Sequence, residues 1–474
     1  MNAFLEPLKK LPGFEEMERI LQKESGLITV SGCTDAQKPH MMYALNNGQF
    51  DKIIVTFHEQ RAKELYEDYD FFDPDVVYYP AKDVLFYQSD IRGNLLTAER
   101  INALKAVHEK KHVTLITTFD ALMNTMAPPE KLWNSVVTVK PEDEFDLEVM
   151  TKQLILMGYE KEYQVETMGQ FAVRGGILDI FPLTEENPVR IELWGDGVDT
   201  IRSFDIESQR SIEMLDMLQI YPACELVLTK QEKAAGIEKM KKEAKKVAEQ
   251  LRKQMKTEEA YRTESLSDEL AEQWGELSMS AGMDAFLSYF CEERTGLLDY
   301  FDKSRTLILF DEMSRSVERG KQTENEFSES MKQRLEKGYI LPGQMKELIG
   351  AKEVLGALEQ YACAAFNALD VKTNGLKSLG QYAIHSKNVN PYNNSFELLV
   401  KDLKRYCKNS YPVILLSGSR TRAKRLSEDL MNEELPAFYT EDYNRVPEPG
   451  EIMVCFGKLH KGFEYPILPF VVIT

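Results

Sequence analysis

LITVSGCTDAQKPHMMYAL, Leu27–Leu45, runs from an apolar β-rich stretch through a short turn into a helical pattern. Further runs of the same kind follow at Lys52–Phe57, Val76–Tyr79, Val113–Thr117 and Ser135–Val139, separated by helical stretches. Such alternation predicts βαβ units and a parallel sheet. TLILFDE, Thr306–Glu312, is a later apolar run ending in two carboxylates, and it is expected to return to that sheet.

The turn Gly32–Lys38 stands where a phosphate-binding loop would stand. A working loop reads Gly-x-x-x-x-Gly-Lys-Ser/Thr: glycines let backbone N–H groups wrap the phosphates, the lysine meets their charge and the hydroxyl binds magnesium. Here Gly32 precedes Cys33, Thr34, Asp35, Ala36 and Gln37, while Lys38 precedes Pro39. The hydroxyl is missing and Asp35 adds negative charge. The loop is therefore expected to be degenerate, leaving Asp311 and Glu312 no metal–phosphate complex to act on. No catalytic residue, cofactor or metal site is expected.

Between the early runs and TLILFDE the text changes character. Phe171–Asp205 carries closely spaced strands with Gly and Pro turns, which predicts a small antiparallel sheet inserted into the first domain. Lys230–Gly338 is mostly helical and charged, GQMKELIG at Gly343–Gly350 reads as a linker, and Glu397–Thr474 resumes α/β alternation. The expected fold is α/β: a degenerate P-loop (RecA/helicase-like) domain at 1–132, its sheet completed by about 303–312; an inserted α+β domain at 133–222; a helical subdomain at 223–342; and a separate α/β domain at 351–474.

Fifty-eight Lys and Arg against 77 Asp and Glu give a net charge of −19, which argues against nucleic-acid binding by the surface as a whole. Lys241, Lys242, Lys245, Lys246 and Lys253 interleave with Glu238, Glu243 and Glu249, as on the solvated side of a helix. The six cysteines, Cys33, Cys224, Cys291, Cys363, Cys407 and Cys455, show neither disulfide nor zinc spacing. Lacking a signal pattern and an apolar run of membrane length, the chain is expected to be cytoplasmic.

GQFAVRGGILDIFPLTEENPVRIELWGDGVDTIRSFDIESQRS, Gly169–Ser211, resembles a segment shared by UvrB and the bacterial transcription-repair coupling factors, where it forms the small domain that binds UvrA. YYPAKDVLFYQSDIRGNLLTAERINAL, Tyr78–Leu104, and CFGKLHKGFEYPILPFVVIT, Cys455–Thr474, are similar to stretches of the coupling factors. The resemblance implies a non-catalytic module that recruits UvrA for nucleotide excision repair. It implies too that RNA polymerase and DNA are engaged by regions of such proteins missing here. The rival is a UvrB-like, nucleotide-dependent DNA-damage protein, which would need an intact loop and a long aromatic hairpin; Asp73–Glu99 leaves little room for the latter.

Carried over residue by residue, the arginine of the V-R-G step is Arg174, suited to bidentate pairing with a carboxylate. The neighbouring arginine of UvrB is replaced by Ala172, and an upstream basic position corresponds to Lys161. Phe171 and Phe181 fit either an aromatic anchor beside the arginine or the core of the sheet, whereas Arg190 and Arg202 read as surface charges on strands.

Overall fold

The computed structural model describes residues 1–83, 93–275, 282–371, 375–392 and 395–474. Four early strands, β1 (Gly26–Ser31), β2 (Asp51–Thr56), β3 (Val77–Tyr79) and β4 (Thr114–Thr118), lie where the apolar runs predict them. Ile28, Val30, Ile53, Ile54 and Ile116 are fully buried, as strands covered on both faces by helices must be.

The chain then leaves this sheet. β5 (Val137–Val139), expected among the parallel strands, instead pairs antiparallel with β12 (Leu218–Ile220), and the two form the stalk of the insertion. Between them, β6 (Glu160–Lys161), β7 (Gln170–Arg174), β8 (Ile177–Ile180), β9 (Val189–Trp194), β10 (Gly197–Phe204) and β11 (Ser211–Met214) form a six-stranded sheet. Its pairing is antiparallel except for the short edge pair β6–β7. One face packs Phe171, Leu178, Ile180, Val189, Ile191 and Ile201 against the helix Leu147–Leu156.

A helical hairpin follows, Lys230–Lys253 and Thr257–Gly275, opened by a capping box between Thr229 and Glu232. β13 (Thr306–Asp311) then re-enters the first sheet beside β2, as expected. Two more strands join it: β14 (Ala362–Phe366) between β1 and β13, and β15 (Ser378–Ala383) outside β1. The sheet order is β15-β1-β14-β13-β2-β4-β3. This corrects the boundary expected at 351, because the first domain reclaims the chain as far as Ala383. β14 reads ACAAF, and alanine is depleted in strands, so its central place in the sheet is hidden from propensity. The stretch Gly343–Gly350, expected as linker, begins within a 3-10 helix, Pro342–Lys346, that has Gly343 and Gln344 buried.

The last sheet contains β16 (Lys387–Asn388), β17 (Val413–Ser417), β18 (Ala437–Tyr439), β19 (Ile452–Phe456), β20 (Phe463–Tyr465) and β21 (Phe470–Ile473), in the order β16-β20-β21-β17-β19-β18. It was expected to be a separate domain, but one continuous core joins it to the first. Phe463, Tyr465, Phe470 and Met453 pack with Phe4, Leu8, Met41 and Phe72. His40, fully buried, donates from Nε2 to the Phe4 carbonyl at 2.8 Å, and its Nδ1 lies 3.0 Å from the Tyr465 hydroxyl. Among the described residues no helix is long and apolar enough to cross a membrane.

Candidate functional site: the outer face of the inserted sheet

Strand alternation sorts the inserted sheet into two faces. In register, Phe171 faces Ile180 and Val173 faces Leu178 on the core side, while Ala172 faces Asp179 and Arg174 faces Ile177 on the other. The next strand continues the second face, with Glu192 beside Ile177 and Arg190 beside Asp179, and β10 adds Arg202 beside Arg190. Three arginines thus line up across the face that the helix does not cover.

Asp179 organises two of them. Its side chain is 2% exposed and accepts from Arg174 Nη2 at 2.5 Å and from Arg190 Nε and Nη2 at 2.6 and 2.9 Å. Such a bidentate pair is the strong form of a charge-assisted hydrogen bond. Arg190 also stacks over the Phe204 ring at 4.6 Å, so its guanidinium is held from two sides. Arg174 keeps 47% of its side chain in solvent and offers its remaining donors outward. Further along, Arg202 pairs with Glu192, which also accepts from Thr200 at 3.1 Å.

Beside this ladder stands a large exposed ring. Trp194 ends β9 before a two-residue turn and is 86% exposed, and Met214 on β11, in register with Arg202, is 64% exposed. Trp194 is in register with Gly197, which has no side chain to cover it. A tryptophan held in water next to oriented guanidinium groups has the composition of an interface anchor.

Arg174, singled out in the sequence, is nearly half exposed and held by Asp179. Lys161 is exposed on the edge strand, but its register partner is Phe171, which puts it on the core-side face away from Arg174. Phe171 is fully buried in the main core and Phe181 is 5% exposed in a small cluster with Val165 and Ala172. Of the two roles left open for them, core packing is the one they fill, and the reading of either as an exposed anchor is corrected. Arg190, read as a surface charge, and Trp194, not singled out, lie on the same face as Arg174. The signal was present in Arg190-Ile191-Glu192-Leu193-Trp194: period two places Trp194 on the polar face.

The turn at Gly32–Lys38 has a different geometry. Lys38 is wholly buried, and its ammonium donates to Asp311 at 2.6 Å, Glu312 at 2.8 Å and Asp35 at 3.1 Å. Burial opposes its charge, yet the Asp311 and Glu312 carboxylates outweigh burial and hold Lys38 above its ordinary value. Burial likewise pushes Asp311 up, and Lys38 and Arg61 outweigh it, so the carboxyl stays below its usual range. Arg61 Nε and the Thr56 hydroxyl complete the shell of Asp311 at 3.0 and 2.9 Å. Above the turn, Ser386 binds the backbone of Gly32 and Thr34, and a Cβ on Gly32, whose φ is +81°, would lie 1.9 Å from the Ile384 carbonyl oxygen. The hairpin expected to be absent between Asp73 and Glu99 falls largely on residues 84–92, outside the described residues.

Residues 137–226 match the sequence profile of the UvrB interaction domain. Over 425 residues, 89% of this chain, the sequence is 28% identical to a transcription-repair-coupling factor of Bacillus subtilis. A transcription-repair-coupling factor of Staphylococcus epidermidis is 26% identical over 475 residues, 97% of this chain. The chain spans 35% and 39% of the length of these two relatives. Its inserted sheet is thus matched by that profile, and nearly its whole length is similar to transcription-repair-coupling factors.

Proposed function

We propose that the chain recruits UvrA through the outer face of the β7–β10 sheet, and that it serves nucleotide excision repair at stalled transcription as a docking module without chemistry of its own. The observation that carries this is the juxtaposition of Arg174 and Arg190, tied by the buried Asp179, with Trp194 standing 86% exposed on the same face. A buried carboxylate that fixes two guanidinium groups lowers the entropy lost when they meet a partner's acids. The exposed ring supplies the apolar area that charge pairs alone lack.

The rival reading, a nucleotide-dependent enzyme, requires a cradle that can open to phosphate. Lys38 Nζ already holds three carboxylates, Thr34 N–H donates to Ser386 at 2.8 Å, and Gln37 and Lys38 have no exposed surface. These contacts favour a closed structural joint, and calorimetry with Mg-ATP is expected to give no binding heat.

The direct test is titration of the chain with UvrA, comparing wild type with Arg174→Glu. Reversal places like charges at a desolvated contact, and affinity is expected to fall roughly tenfold or more. Undiminished binding by the variant would refute the assignment of this face.

A further inference from the structure

The helix Arg420–Asn432 follows β17 at the carboxyl edge of the last sheet, and its first six residues carry Arg420, Arg422, Lys424 and Arg425 with no acid in the first turn. All four side chains are exposed on a chain whose net charge is −19. Cations at a helix N-terminus oppose the macrodipole, so they cost stability rather than add to it.

Internal pairing does not account for them. Arg420 reaches Glu441 at 3.7 Å, but Arg422, Lys424 and Arg425 have no carboxylate within ion-pair distance among the described residues, Glu428 and Asp429 one turn on included. The other lysine-rich helix, Lys230–Lys253, behaves differently: its packed neighbour is acidic, and Lys241–Asp268 and Arg252–Glu264 pairs bridge the two. There part of the charge is paired across the hairpin, and Glu238, Glu243 and Glu249 interleave with the remaining lysines.

We propose that the Arg420–Arg425 surface docks on the phosphate backbone of duplex DNA. A protein partner would want an apolar centre, and Arg420–Arg425 carries none: the rings beside it are partly covered, Phe456 by Arg420 at 4.8 Å and Tyr439 by Lys424 at 5.3 Å, and the exposed Met431 lies at the far end of the helix. The same covered rings argue against single strands, whose bases need open aromatic faces to stack on. What remains is a polar, strongly cationic surface, the usual character of a protein–DNA interface. Without base-reading groups, the binding is indifferent to sequence and sensitive to salt.

Fluorescence anisotropy of the whole chain with a labelled duplex, beginning near about 50 mM salt, tests this. Wild type is expected to bind, with an affinity that falls as salt rises. Arg422→Ala/Arg425→Ala should lose about tenfold and shallow the log–log salt slope by about 2, since each phosphate contact contributes about 0.9. Lys242→Ala/Lys246→Ala on the other basic helix should change neither, and UvrA titration of the Arg422/Arg425 variant should match wild type. No binding at low salt, an equal loss in the Lys242/Lys246 control, or tighter binding of single strands than of duplex would each overturn the proposal.

Discussion

A carboxylate with almost no solvent contact, set between two guanidinium groups, fixes where both can point. Replacing Asp179 by Asn keeps the shape but removes the charge, so Arg174 and Arg190 lose their common anchor. Stability is expected to fall by about 1–3 kcal/mol in urea unfolding, and UvrA affinity by several-fold, because the arginines must then be ordered on binding. Arg174→Ala should instead leave stability within about 0.5 kcal/mol, since nearly half its side chain is already in water. Lys38 is the opposite case. Lys38→Met leaves Asp311 with Arg61 and Thr56 and Glu312 with the Ala368 N–H alone among their hydrogen-bond donors, a change expected to cost about 3 kcal/mol by denaturant titration. The exposed position of Arg174 was legible in the sequence because it follows the alternation of a strand that ends in a Gly-Gly turn. The roles of Phe171 and Phe181 were not, because an aromatic in a strand reads the same whether it packs inward or waits for a partner; only pairing register separates the two.

At the scale of elements, the inserted sheet stands on a joint whose charges come from three parts of the chain. Glu225, just past β12, receives Arg100 Nε at 2.6 Å and Nη2 at 3.0 Å, and Lys82 reaches it at 3.2 Å while also binding Asp284 at 2.7 Å. Burial raises the Glu225 carboxyl, but Arg100 and Lys82 outweigh it and bring the pKa down to about 2. Glu225→Ala would remove the carboxylate from a fully buried arginine, and we expect a loss of about 3–5 kcal/mol with the sheet's orientation disturbed, visible as weaker UvrA binding even though the outer face is untouched. The insertion itself was readable from its Gly and Pro turns. Its stalk was not, since Val137-Thr138-Val139 alternates like any strand and nothing local says that its partner lies some eighty residues on, at Leu218–Ile220.

For the whole molecule, the shared core predicts that the first and last sheets unfold together, giving one calorimetric transition where separate domains would give two. His40 lies at the centre of that core, and burial lowers its pKa from 6.5 to about 4 despite the hydrogen bond to Phe4. A lowered value in the folded state means that the stabilisation is complete above pH 6.5 and is lost as pH falls from there toward 4, by roughly 3 kcal/mol in total. His40→Gln should flatten that part of the stability–pH curve. Alternation in the sequence showed two α/β units but could not show their fusion. The contacts that join them, such as Gln37 to Tyr465 at 2.6 Å, span more than four hundred residues and leave no periodic trace.

The claim that the outer face meets UvrA is tested most directly at Trp194. The chain has three tryptophans, and Trp194 alone is strongly exposed: Trp274 is 1% exposed and Trp133 is partly buried against His108 and Tyr300. Labelling with 5-fluorotryptophan should give three fluorine resonances, assigned by single Trp→Phe changes. On titration with unlabelled UvrA, only the Trp194 resonance is expected to shift and broaden, and Arg174→Glu should abolish the effect. Saturable binding that leaves the Trp194 resonance unmoved would place UvrA elsewhere and contradict the account.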